Sequence, residues 1–329
     1  MICKIINPLK FFCLGAILSF GLFFAACEKS ESDQTAPVSG NALSNKSSTV
    51  TKSPSKPVPQ TLFAAIKAIE PFFVKMGKPT PDEWLATYPE SGQTFDEYTK
   101  EDPTLPTIER KTLYVQPLGK FNQQQRKIIN TTAEYMRLFF NLPVKVLPDK
   151  AFAPTLSPTS IRYHPQWKTK QNITGYILKD VLQPALPKDA AALIAFTEQD
   201  LYPGATMNFV FGQASLENRV GVWSLYRLDN LTGDQNFLKR MLKIAVHETG
   251  HIFSIRHCTK YICVMSGANH LGETDAHPID ACPECMAKIC WLSDAQPKQR
   301  YLNLAEFCKK YGLKAEEESF RKKASAVNQ

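Results

Sequence analysis

Histidine is scarce in this chain, six residues in 329, and glycine is sparse too at 15. No apolar run reaches the roughly 20 residues that a membrane-spanning helix needs; the longest, residues 11–24, is shorter. No internal repeat is visible, and no basic stripe interleaved with aromatics, so nucleic acid is not an expected partner. Half of the formal charge of +8 sits at the ends. Residues 1–60 hold six Lys/Arg against three acids and residues 312–329 hold four against three, which leaves an ordinary +4 between. With 43% hydrophobic residues, the chain can bury one large core or that of a two-lobed domain.

The few histidines are concentrated. His247, His251 and His257 fall in one stretch, HETGHIFSIRH. Histidines four apart on a helix share a face, so His247 and His251 can hold one zinc, with Glu248 reaching the open coordination position. His257 cannot stay on that face; the helix must end and the chain must bend back. Three imidazoles around zinc leave a fourth position for a water, which suits a catalytic metal.

The nine cysteines divide into three groups. Cys3, Cys13 and Cys27 lie in an amino-terminal targeting segment. Cys290 and Cys308 sit in helical patterns and read as buried thiols, with a mutual disulfide as the alternative. Cys258, Cys263, Cys282 and Cys285 have metal-ligand spacing and read as a second, closed tetrahedral zinc site of structural type. Two disulfides or a redox CxxC pair are the competing readings.

The long histidine motif followed by Cys258, Cys263, Met265 and Cys282-Pro283-Glu284-Cys285 resembles the archaemetzincins, a metzincin branch of zinc metallopeptidases. The resemblance spans residues 62–313. It implies an α/β (α+β) fold, with a mixed sheet, an antiparallel edge strand, an active-site helix and a small helical, zinc-bound carboxy-terminal subdomain. It makes Met265 a packing residue in the turn beneath the metal. The tyrosine that follows this turn in some metzincins has no counterpart nearby, leaving Asn269 or His270 for its role. Ser254 stands where the family has glycine, in a bend calling for positive φ, at a cost of about 1 kcal/mol. Trp84-Leu85-Ala86 and residues 90–95 are similar to the family's amino-terminal extension and read as packing without chemistry.

In chain order, Lys4 and Lys10 precede the apolar run, and Phe24-Ala25-Ala26-Cys27 resembles a lipoprotein cleavage box. Residues 1–26 are therefore expected to be a signal peptide and Cys27 the lipidated first residue, with a transmembrane anchor as the alternative. Residues 27–60, poor in large apolar side chains, read as a disordered tether. The peptidase domain is placed at 61–320, as lobes 61–257 and 258–320, with a charged terminal helix or tail beyond; residues 321–329 are assigned to the tail. Strands are expected at 112–117, 143–147, 191–196, 208–212 and 220–226, and helices at 122–140, 173–186, from 234 through the histidine motif, 282–291 and 299–311. By the metzincin resemblance, residues 208–212 form the edge strand above the cleft. A covered interior hairpin is the alternative.

The function expected is a zinc-dependent metallopeptidase with Glu248 as general base and two Zn2+ per chain, one catalytic and one structural. Its partners would be a peptide or protein substrate and a membrane, reached through the lipid anchor. The protein would be an exported monomer on the periplasmic or cell-surface side. A catalytically silent zinc scaffold and a membrane-tethered peptide-binding module are the alternatives. The resemblance further implies aminopeptidase-like action on short peptides. Asn208, Phe209, Asn269 and His270 are candidate substrate contacts, and Glu273 or Asp275, in a polar loop, would hold the free amino terminus.

Overall fold

The computed structural model describes residues 56–152, 159–205, 207–215, 217–228 and 234–327. The expected signal peptide, Cys27 and nearly all of the tether lie outside them.

Three short helices, α1 (Gln60–Ile69), α2 (Trp84–Thr87) and α3 (Phe95–Lys100), open the described chain. Thr94 and Glu97 close a reciprocal capping box that starts α3. Next come β1 (Thr112–Leu118), α4 (Gln123–Phe140) and β2 (Val144–Val146). Asn122 caps α4 and Asn141 ends it in the left-handed region, φ 52°. Two short strands follow, β3 (Ile161–Tyr163) and β4 (Lys170–Ile173). α5 (Thr174–Tyr176) continues into a π-helical turn, Ile177–Leu182, and a 3-10 turn, Gln183–Ala185. The strands β5 (Ala190–Thr197), β6 (Asp200–Tyr202), β7 (Gly212–Ser215) and β8 (Val220–Ser224) lead to the long α6 (Asp234–Ile252). Four helices complete the chain: α7 (Leu271–Ala276), α8 (Pro283–Ser293), α9 (Pro297–Lys310) and α10 (Lys314–Ala326).

The main sheet has the order β2-β1-β5-β8-β7, parallel except for β7, which runs antiparallel to β8 at the edge. Alternation along the strands separates two apolar faces. Leu113, Val115, Ile194, Phe196 and Trp223 pack with α4 and α6 in the larger core. Tyr114, Leu118, Leu193, Ala195 and Val222 pack with Ile177, Leu178 and Leu182 on the opposite face. All of β5 is buried, as its uninterrupted apolar run requires. β3, β4 and β6 form a separate three-stranded sheet.

Three expectations need correction. The edge strand is Gly212–Ser215; residues 208–211 carry an isolated bridge, Leu201 to Val210, and one bond from Ser224 N to Phe211 O (2.8 Å), while Asn208 O is taken by the side chains of Arg162 (2.8 Å) and Gln171 (3.0 Å). Residues 271–276 are helical, with His270 capping them. Residues 321–326 belong to α10, where buried Lys323 donates to Asp280 Oδ2 at 2.8 Å, so the acidic and basic runs build a packed helix. One apolar core runs from Leu62 through α4 and α6 to Val327, so residues on both sides of His257 share it.

Candidate metal and catalytic centre

α6 carries His247 and His251 one turn apart, and their Nε2 atoms lie 3.0 Å apart. The helix then stops abruptly. Ser254 N donates to His251 O (2.8 Å) and Ile255 N to Gly250 O (3.0 Å), the paired bonds of a Schellman motif. Its left-handed residue is Ser254, φ 63°. The bend expected at this position is therefore present without glycine. Ser254 Oγ accepts from Thr104 N at 3.1 Å, which offsets part of the conformational cost. The reversal returns His257 to the other two imidazoles, and one ring nitrogen from each of the three lies within 4.8 Å of the others.

Each imidazole is oriented through its other nitrogen. His247 Nδ1 is 2.8 Å from Val264 O and His251 Nδ1 is 2.7 Å from Ile255 O. A carbonyl only accepts, so both Nδ1 atoms carry the proton and both Nε2 lone pairs are free to ligate. His257 Nδ1 meets Glu90 Oε2 at 2.8 Å. Burial pushes His247 well below the ordinary imidazole range and His251 down to about 4, with the neighbouring imidazoles adding to both shifts. Neutral imidazole is the ligating form. A tetrahedral zinc with bonds of 2.0–2.1 Å separates its nitrogen ligands by about 3.3 Å, so the trio fits that ion.

Glu248 is partly open to the same cleft and otherwise enclosed, and burial pushes its carboxyl up to about 8. The edge strand comes close to it: a Cβ on Gly212 would lie 2.9 Å from Glu248 Cγ. Beneath the helix, a Cβ on Gly250 would lie 2.7 Å from Met265 Sδ, so Met265 packs directly on the helix turn that separates the two ligands.

The four cysteines form the second cluster. Their Sγ atoms lie within 4.8 Å of one another, all four side chains are buried, and all are free thiols. Cys258 and Cys282 Sγ are 3.6 Å apart, close to the ~3.8 Å expected across a tetrahedral zinc with 2.3 Å bonds. Cys263 Sγ accepts from the backbone N–H of Cys282 (3.2 Å) and Met265 (3.4 Å), donors that favour thiolate. Hydrogen bonds from Cys263, Cys282 and Cys285 hold Cys258 far below the usual thiol range, whereas burial drives Cys263 and Cys282 well above it. The loop from Cys258 to Met265 includes Val264, the partner of His247, so this cluster braces the histidine centre. Cys290 and Cys308 are buried thiols without a disulfide.

Residues 180–290, which contain both clusters, match the model of Peptidase family M54. The chain is 30% identical over 264 residues to Archaemetzincin-2 of Pongo abelii, covering 69% of this chain and 72% of that protein. The chain belongs to the archaemetzincin family. It is also 31% identical over 177 residues to Archaemetzincin of Archaeoglobus fulgidus, covering 54% of this chain and 98% of that one. A crystal structure of archaemetzincin from Methanopyrus kandleri aligns with a TM-score of 0.47 at 26% identity, over 56% of this chain and 96% of that chain.

In this archaemetzincin the histidines open into a cleft of ≈ 880 Å³. Asn208, Phe209 and Asn269 line it as expected. His270, Glu273 and Asp275 are not among its lining residues, because each is committed elsewhere. His270 Nδ1 caps α7 by accepting from Glu273 N at 3.1 Å. Glu273 accepts from Trp84 N (2.9 Å) and Asn269 N (2.6 Å), and Asp275 pairs with Arg240 Nε at 2.8 Å. The two acids expected to receive a substrate amino group are structural instead. Residues read as mere packing do reach the cleft: Trp84, Tyr88 and Glu90 line it, and the Trp84 ring meets His257 edge-on at 5.2 Å. Their similarity to the family's extension was the available signal; nothing in their local pattern indicates proximity to a histidine far along the chain.

Proposed function

We propose that the chain hydrolyses peptide bonds at the histidine centre, with Glu248 as general base. The observation that carries this reading is Glu248 opening, between edge strand and histidines, into a peptide-sized cleft. His247, His251 and His257 would hold the catalytic zinc, and Cys258, Cys263, Cys282 and Cys285 a structural one. Zinc, when bound, polarises the scissile carbonyl and lowers the pKa of a coordinated water. Glu248 takes the proton of the attacking water on a carboxylate oxygen and returns it to the leaving amine; its enclosure favours holding that proton between the two steps. The edge strand β7 offers backbone groups to which an extended peptide can add.

The finer reading, cleavage of short peptides near their amino end, rests on the family resemblance alone; Glu90, the one carboxylate besides Glu248 lining the cleft among the described residues, is held by His257 Nδ1 and the Trp84 indole. Acetylating the amino terminus of a cleaved peptide should then slow its hydrolysis sharply; equal rates would identify an endopeptidase. We propose further that the chain is exported and anchored through a lipidated Cys27; release of the Cys27→Ser variant from membranes supports this, and an unaltered amino terminus on the wild type overturns it. Among the described residues no helix is long and apolar enough to cross a membrane.

The decisive experiment combines metal analysis with digestion of a diverse peptide library. Two zinc ions per chain are expected, with cleavage abolished by a chelator. Glu248→Gln should retain metal and fold while losing about 10²–10⁴-fold in turnover. A fully active Glu248→Gln variant would show that another group activates the water.

A further inference from the structure

We propose that Lys243 and His277 form an anion subsite in the cleft that takes a carboxylate of the peptide, either an acidic side chain beside the scissile bond or the terminal carboxylate of a short peptide. The proposal rests on the peptidase reading above and names a substrate class for it.

Lys243 precedes His247 by one turn of α6, about 6 Å along the axis, and both line the cleft. A lysine in such a place is costly: its side chain is buried at 6% exposure, and among the described residues no carboxylate bonds to its ammonium. Nζ donates to Thr274 O at 2.8 Å and Asp275 O at 3.1 Å, carbonyls at the end of α7. These bonds fix the head group but supply no formal negative charge. The nearby Asp275 carboxylate is bound by Arg240 Nε at 2.8 Å rather than by Lys243. Burial accordingly pushes Lys243 down to about 8. An ammonium has three N–H donors, and two are used.

His277 is the second component. It lines the same cleft, is largely enclosed, and its imidazole bonds to no other described side chain or carbonyl. Its backbone N–H donates to Thr274 O at 3.2 Å, the same carbonyl that accepts from Lys243 Nζ, so the two residues meet at the end of α7; burial and the lysine's charge lower His277 to about 4. A neutral imidazole still presents one N–H. An ammonium proton and an imidazole N–H on one cleft wall suit a carboxylate, whose lone pairs can accept both.

A purely structural role, in which Lys243 only caps α7, would alter melting temperature and metal content but not the ranking of substrates. The test is therefore selectivity. The library digest locates the position flanking the cleaved bond where Asp and Glu are enriched. Two peptide pairs are then compared at equal metal loading: Glu against Gln at that position, and free against amidated carboxyl terminus. The wild type should favour the charged member of one pair by at least about 10-fold in kcat/KM, mostly through KM, the scale of a charge-assisted hydrogen bond. Lys243→Met should erase that ratio, Lys243→Arg should preserve most of it, and His277→Gln should reduce it in a chain whose lysine is intact. The pair that responds identifies the source of the carboxylate. Equal rates within both pairs for the wild type, or a ratio unchanged in folded Lys243→Met or His277→Gln, would overturn the subsite while leaving the peptidase reading intact. Failure to cleave any peptide would overturn both.

Discussion

Glu90 Oε2 lies 2.8 Å from His257 Nδ1, while Glu90 Oε1 accepts the Trp84 indole N–H at 2.9 Å. A carboxylate from the amino-terminal segment thus orients the third histidine of a motif some 160 residues further on (167 by position). The histidine pulls in turn on the acid: hydrogen bonding and charge from His257 hold Glu90 below the usual carboxylate range, against the opposing effect of its partial burial. Removing such an outer partner typically weakens metal binding about 10–100-fold. Glu90→Ala should fall in that range by chelator competition, and Glu90→Gln, which keeps an acceptor for the imidazole, should lose less. Unchanged zinc affinity in Glu90→Ala would make the contact incidental.

Ser254 offers a separable test of the bend. Ser254→Ala keeps the left-handed conformation but loses the acceptor used by Thr104 N–H, and should be less stable by about 1 kcal/mol. Ser254→Gly loses the same acceptor yet relieves about 1 kcal/mol of conformational cost, so it should melt close to the wild type. A glycine variant less stable than the alanine variant would mean that the left-handed strain is negligible. Chemical denaturation of the metal-loaded proteins measures all three.

Much of the centre was legible because its determinants are local. Helical spacing alone pairs His247 with His251, and CxxC spacing joins Cys282 to Cys285; the positive φ at Ser254 came from the family resemblance, which has glycine there. The alternation in β1 and the unbroken apolar run of β5 likewise revealed the strands. What escaped depends on contacts between distant segments. Nothing near Glu90 announces His257, and the acids Glu273 and Asp275 look solvated until Trp84 and Arg240 are seen to bind them. The edge strand was misplaced because residues 208–211 have a strand-like apolar pattern, whereas the Asn208 carbonyl at their start is bound by the distant side chains of Arg162 and Gln171.

Cys285→Ser tests the brace. Structural zinc contributes directly to folding, so this variant should bind one zinc instead of two and melt at lower temperature. Its effect should extend further, because Val264 O, which orients His247, lies between Cys263 and Met265 in the braced loop. The remaining zinc should therefore be stripped more readily by a chelator than in the wild type. A variant that melts like the parent with both metals retained would eliminate the second zinc site.

Lys243 provides a pH signature independent of any substrate. Burial pushes it down to about 8 in the folded chain, against 10.5 for an unconstrained lysine. Between those values the unfolded chain binds a proton that the native chain lacks, so this group makes stability rise with pH. Below pH 8 both states are protonated, and the burial cost is present in full and constant. Titrations not coupled to Lys243 cancel in the difference between wild type and Lys243→Met; those of His277 and Asp275, which the lysine charge lowers, lie on the acid side of this window. The wild type should therefore gain on the variant from pH 8 to 10.5, on the order of 1–3 kcal/mol, with no change between pH 6 and about 7. Urea denaturation across that range measures the difference directly. Parallel pH profiles would mean that the ammonium is as well solvated in the folded chain as in water, and that Thr274 O and Asp275 O compensate its burial completely.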